Sequence, residues 1–73
     1  MQKVSVIIEK DAAGYFAFCP DLPGCQSQGD SMDEAVANIR EAISLYMETL
    51  SPEELSELLS REIFSTTVEV SVA

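Results

Sequence analysis

The sequence has 73 residues, with no histidine, no tryptophan and four basic residues against thirteen acidic ones. The missing histidine excludes a Ser-His-Asp triad, a Cys-His pair and any histidine-based metal site. A net charge of −9 argues against direct binding to nucleic acid, because phosphate contacts require clustered Lys or Arg. The acidity favours instead a basic partner, or simply solubility.

Long apolar runs and extra cysteines are also missing. No stretch approaches the ~20 apolar residues of a membrane span, and the first residues lack a signal-peptide profile, so we expect a cytoplasmic protein without membrane contact. The two cysteines, Cys19 and Cys25, are then expected to be reduced thiols rather than a disulfide. The length has room for one domain, spanning residues 1–73. A domain so small gains from self-association, and we expect a homo-oligomer.

Apolar alternation predicts strands near both ends of the sequence. Val4, Val6 and Ile8 share one face of a first strand, a turn at residues 10–14 follows, and residues 15–19 are rich in strand-forming residues. Residues 25–29 are predicted as a short edge strand. Residues 67–72 alternate again, and a final strand is predicted there, with three valines on one face: Val68, Val70 and Val72.

Two helices are predicted between these strands. Ser31 and Glu34 have capping-box spacing, and Ser51 with Glu54 repeats that signal around Pro52. The first helix carries an apolar stripe at helical spacing, formed by Ala35, Ile39, Ala42, Tyr46 and Leu50.

The predicted fold is therefore a small α+β domain, ββ(β)αβ with a short extra helix. Its sheet of three to four strands has the order 3-2-1-4, and helix covers one face. The uncovered face carries apolar groups from Ile7, Phe16 and Phe18. Such surplus apolar surface is typical of an association face, although loops or the second helix could also bury it.

The acidic residues indicate no catalytic or metal-binding arrangement. Asp11, Asp21, Asp30 and Asp33 lie at turns and a helix start, positions that acidic residues favour without any catalytic role. No calcium-loop spacing is present. We expect neither catalysis nor a metal or cofactor.

The segment Pro20-Asp21-Leu22-Pro23-Gly24-Cys25 is stiff, because two prolines and a glycine restrict its backbone. It can present Asp21 and Leu22 to a partner at low entropic cost. The alternative is a structural corner between two strands.

Together with Gly14-Tyr15-Phe16-Ala17, Gly29-Asp30-Ser31 and the Glu-Ala pairs at 34–35 and 41–42, this segment resembles the HicB-type antitoxins of toxin–antitoxin pairs, over residues 4–47. The resemblance implies a partial ribonuclease H-like fold without the nuclease's metal-binding acids. It also implies a partner, a small basic HicA-type toxin that cleaves mRNA and that the antitoxin neutralises by masking its active surface. Many such antitoxins carry a C-terminal DNA-binding module. Here Arg61 is the single base after the first helix, so we expect no such module and no operator binding by this chain alone.

We expect the partner-binding surface to include residues of the second strand, the following loop and the first helix: Tyr15, Phe16, Phe18, Asp21, Leu22, Pro23, Asp33, Glu34 and Glu41. Two alternatives stay open at this point. One is a homo-oligomeric interaction module without a toxin, and the other is a residual ribonuclease H-like hydrolase.

Overall fold

The computed structural model describes residues 3–72. Three strands come first, β1 (Ile7–Asp11), β2 (Gly14–Phe18) and β3 (Gln26–Gly29), and two helices follow, α1 (Met32–Glu48) and α2 (Pro52–Leu59). The strands form one antiparallel sheet in the order β1-β2-β3, which confirms the α+β class. In the described part of the chain, no helix has the length and apolar character needed to cross a membrane.

β1 begins at Ile7, three residues later than the apolar alternation predicted. Ile7 pairs with Phe18, the last residue of β2, and the hairpin turns between Asp11 and Gly14. The ladder between β1 and β2 ends at Phe18, whereas the Cys19 N–H still donates to the Cys25 carbonyl at 3.0 Å, in the register of the β2–β3 pairing. Residues 4–6 therefore extend past the end of β2 and have no ladder partner on that strand.

The helix starts follow the predicted capping signals, with one difference. The Ser31 hydroxyl accepts from the Glu34 N–H at 3.1 Å, but the Glu34 carboxylate accepts from the Asp30 N–H at 3.2 Å rather than from the cap residue. At α2 the capping box is complete, with Ser51 and Glu54 accepting from each other's backbone N–H groups. Both helices thus begin where local side-chain hydrogen bonds replace the missing backbone partners.

The core lies between the sheet and α1, which packs across β2 and β3. At Gly29 the two elements meet so closely that an added Cβ would lie 2.6 Å from the Ala35 nitrogen. Only a residue without a side chain permits that approach. The apolar stripe of α1 faces this core as predicted, and the buried hydrophobic residues are Ala17, Cys19, Leu22, Cys25, Ala35 and Ile39.

The predicted fourth strand is not present in the described residues. Residues 62–72 form neither helix nor strand, and Val68, Val70 and Val72 are 73%, 76% and 88% exposed. The observed order β1-β2-β3 agrees with the first three positions of the predicted sheet, whereas the complete order 3-2-1-4 and the ribonuclease H relation are not confirmed. Alternation makes a strand competent to pair, but pairing also requires that the segment reach an edge.

Candidate partner-binding surfaces

The loop at residues 19–25 is a closed double turn. The Leu22 N–H donates to the Cys19 carbonyl at 3.1 Å, and the Cys25 N–H donates to the Leu22 carbonyl at 3.0 Å. Gly24 has φ +81° and follows Pro23, the combination that a type II turn requires. The predicted rigidity of the loop therefore has a specific origin in two successive turns.

Two side chains expected to be presented by this loop point into the protein instead. Leu22 is 0% exposed and Asp21 is 5% exposed, so neither side chain can form part of a contact surface in this structure. The Asp21 carboxylate accepts from the Ser5 N–H at 3.1 Å and ties the chain before β1 to the loop. This burial argues against direct contact with a partner through these two side chains, and such contact stays a prediction. Pro23 is exposed as expected.

The loop is also held by hydrogen bonds from a residue that follows α2. The Arg61 guanidinium donates through Nη2 to the Pro20 and Asp21 carbonyls, each at 3.0 Å. This contact joins residues forty positions apart in sequence, and nothing in the local pattern around Arg61 indicates it. The loop is thus a structural junction between the start of the chain, the core and the segment after α2.

The two cysteines form no reactive site. Both are free and buried, at 2% exposure for Cys19 and 5% for Cys25. Burial raises the pKa of both thiols, and for Cys19 it outweighs hydrogen bonding to the Leu22 and Asp21 backbone, which acts in the opposite direction. A thiol with a raised pKa holds little thiolate, the form that reacts with oxidants and metals.

The exposed side of α1 carries an acidic stripe, defined here as Glu34, Glu41 and Glu48. These residues are seven apart, which places them on nearly the same side of the helix at intervals of about 10 Å. Leu45 lies between the last two and is 57% exposed. Asp33, also exposed, adds a carboxylate beside the start of the stripe.

An acidic cleft of about 610 Å³ adjoins the N-terminal end of this stripe. It is lined by Asp11 at the end of β1, by Asp30 and Glu34, and by residues of β2 and β3. Asp11 accepts from the Ala13 N–H at 2.8 Å, so it shapes the turn as the sequence predicted. Among residues 3–72 no group of three or more Asp, Glu, Cys or His side chains has the arrangement of a metal site.

The second surface is the outer face of the sheet, opposite α1. Phe16 and Phe18 project there, are half-buried, and have ring centroids 6.0 Å apart; Ile7 pairs with Phe18 on the neighbouring strand. Tyr15 lies on the other face, where it packs against the core with the Lys10 amine 5.5 Å from its ring centroid. The structure therefore does not bring the predicted residues together on one surface: two lie on the outer face, three on α1, and the others on the core face of β2 or in the loop. The structure adds Glu48 and Leu45 as candidates on the exposed side of α1, and the seven-residue spacing of the stripe was visible in the sequence.

An acidic helix face and an apolar sheet face on one small domain are features typical of proteins that bind other proteins. Comparison with known sequences narrows this class. The sequence model of the HicB-like antitoxins of bacterial toxin–antitoxin systems matches residues 4–69, and the chain belongs to this family.

Several relatives are similar along most of the chain. A UPF0150 protein of Helicobacter pylori is 46% identical over 70 residues, which cover 96% of this chain and 97% of the relative. A UPF0150 protein of Archaeoglobus fulgidus is 39% identical over 62 residues, covering 84% and 90%. One from Synechocystis is 56% identical over 50 residues, covering 67% and 63%. No solved structure matches the chain significantly.

Proposed function

We propose that this protein is a non-enzymatic antitoxin that binds a small basic HicA-type toxin and neutralises it by masking the surface with which the toxin cleaves mRNA. The single observation that carries the proposal is the acidic stripe on α1 of a chain that belongs to the HicB-like antitoxins. A toxin that binds RNA needs a positively charged surface, and the stripe offers carboxylates where that surface would otherwise meet phosphates.

The charge balance supports this role. At least nine of the thirteen carboxylates have no base of their own, since the chain has four bases. Two of those bases already have neutral partners, because Lys10 lies over the Tyr15 ring and Arg61 donates to backbone carbonyls. The resulting negative field would accelerate the encounter with a basic protein and repel nucleic acid.

Affinity also requires an apolar centre, which charge alone does not supply. Leu45, between two carboxylates of the stripe, is such a centre on α1. The outer face with Phe16 and Phe18 is a second surface, and it favours the alternative function, a homo-oligomeric module without a toxin. The two functions predict different binding surfaces: the stripe for a toxin, and the outer face for a second copy of this chain.

Growth rescue and binding kinetics test the proposal. We would express a small basic HicA-type toxin, with and without this protein, and measure association of the purified pair at low and high salt. The wild type should restore growth, and its association rate should fall steeply as salt rises. If the toxin stops growth equally with and without this protein, the proposal is wrong.

A variant without the three charges of the stripe tests whether the stripe is the toxin-binding surface. Glu34→Gln, Glu41→Gln and Glu48→Gln combined should lower the association rate at least about tenfold at low salt. The glutamine introduced by Glu34→Gln is isosteric with glutamate and retains an oxygen that can accept from the Asp30 N–H, so the helix start is preserved. The matched control removes three exposed charges outside the stripe, with Glu53→Gln, Glu57→Gln and Glu62→Gln, and should change the rate much less. Equal losses in both variants would show general charge, not the stripe, to be responsible.

A further inference from the structure

An apolar groove of about 660 Å³ runs between β1 and α1. Seven of its nine lining residues are apolar, among them Ile8 on β1 and Val36 and Ile43 on α1, and its single charged lining residue is Arg40. The groove exists because α1 packs across β2 and β3 rather than over β1. Within residues 3–72 no strand pairs with the outer edge of β1, so backbone donors and acceptors there lie beside the groove.

Residues 62–72, called the arm here, have the complementary pattern. The valines at 68, 70 and 72 alternate with polar residues and are 73–88% exposed. The arm contains two carboxylates, Glu62 and Glu69, and no base, whereas the charge beside the groove is positive. A strand with one apolar face, placed on the edge of β1, would put these valines on the same face as Ile8.

We propose that residues 67–72 form a fourth strand on β1 of a second copy of this chain, with the three valines packed in that copy's groove. Two copies related by a twofold axis exchange their arms reciprocally, so both grooves are filled and both β1 edges are paired. This inference does not depend on toxin binding.

The position of the arm favours exchange over folding back onto the same chain. Arg61 fastens the start of the arm to the loop carbonyls, and from there the arm extends away from the body. The chain has a radius of gyration of 14.3 Å and a longest extent of 47 Å, whereas a compact chain of this length has a radius of about 11 Å. An arm held outside its own groove is available to a neighbour's groove.

Light scattering coupled to size exclusion tests the assembly on the full chain. The wild type at tens of micromolar should have about twice the 8.0 kDa mass of one chain. Val70→Glu places a charge on the apolar face of the arm and should yield a single-chain mass. Ser71→Glu adds the same charge to the opposite face and should leave the doubled mass intact. Both variants should keep the helical circular dichroism signal of the wild type, because α1 and α2 lie outside the arm.

Disulfide trapping distinguishes exchange from folding back. Val70→Cys and Ile43→Cys, placed in separate chains of which one carries a tag, should form an interchain disulfide after mixing and mild oxidation. A wild type with the mass of one chain would overturn the proposal. So would a doubled mass that Val70→Glu leaves unchanged, since the dimer would then use another surface. Trapping confined to chains that carry both cysteines would show that each arm fills its own groove, which also overturns it.

Discussion

Replacement of Leu22 by alanine tests whether the loop at residues 19–25 is part of the core or an exposed recognition element. Leu22 is 0% exposed and is among the largest fully buried side chains in the described structure. Leu→Ala substitutions at such sites cost about 2–5 kcal/mol, the spread reflecting how far the cavity collapses. For 73 residues the whole free energy of unfolding is on the order of 4–11 kcal/mol. This one substitution therefore removes a large share of it.

Urea denaturation followed by circular dichroism measures the effect. For a small domain m is about 1 kcal/mol/M, so the unfolding midpoint should fall by at least about 2 M. Leu22→Met conserves most of the volume and should cost less than about 1.5 kcal/mol. Leu45→Ala, at a position 57% exposed, should stay within about 0.5 kcal/mol.

The same variants separate structure from recognition. Because Leu22 is buried, Leu22→Met should bind the partner as the wild type does, whereas Leu45→Ala should weaken binding and leave stability unchanged. Equal midpoints for Leu22→Ala and Leu45→Ala would refute the assignment of Leu22 to the core. So would a Leu22→Met variant that is stable but no longer binds.

Three further predictions follow from local geometry. Gly29→Ala should lower the urea midpoint, since its Cβ would lie 2.6 Å from a backbone nitrogen of α1. Hydrogen bonds from Ser51 lower the pKa of Glu54, so the carboxylate form stabilises α2 at neutral pH; as the pH falls through that lowered pKa, the contribution is lost. The acid dependence of stability should therefore be shallower in Glu54→Gln than in the wild type. Cys19 and Cys25 should not react with a thiol reagent in the native protein and should both react in urea; rapid native labelling would contradict their burial.

Features that depend on neighbouring residues were predictable from the sequence. The starts of both helices follow Ser31 and Ser51, whose hydroxyls bond to backbone groups three residues away. The turn at Gly24 depends on a positive φ that glycine adopts without strain. The class of fold, the acidic character and the family resemblance were equally visible, since they rest on composition and short motifs.

Tertiary structure alone decided which side chains remain available for binding. Asp21 and Leu22 belong to a distinctive motif, yet both are buried because the chain before β1 and the core close over them. The Arg61 contact with the loop joins segments forty residues apart, and no local pattern encodes it. The start of β1 depends on where its ladder with β2 ends, and the alternation of residues 67–72 does not determine whether they pair with an edge. Caps and turns are determined by residues a few positions apart in the sequence. Burial and strand pairing depend instead on which segments, distant in sequence, pack against a residue in the folded chain.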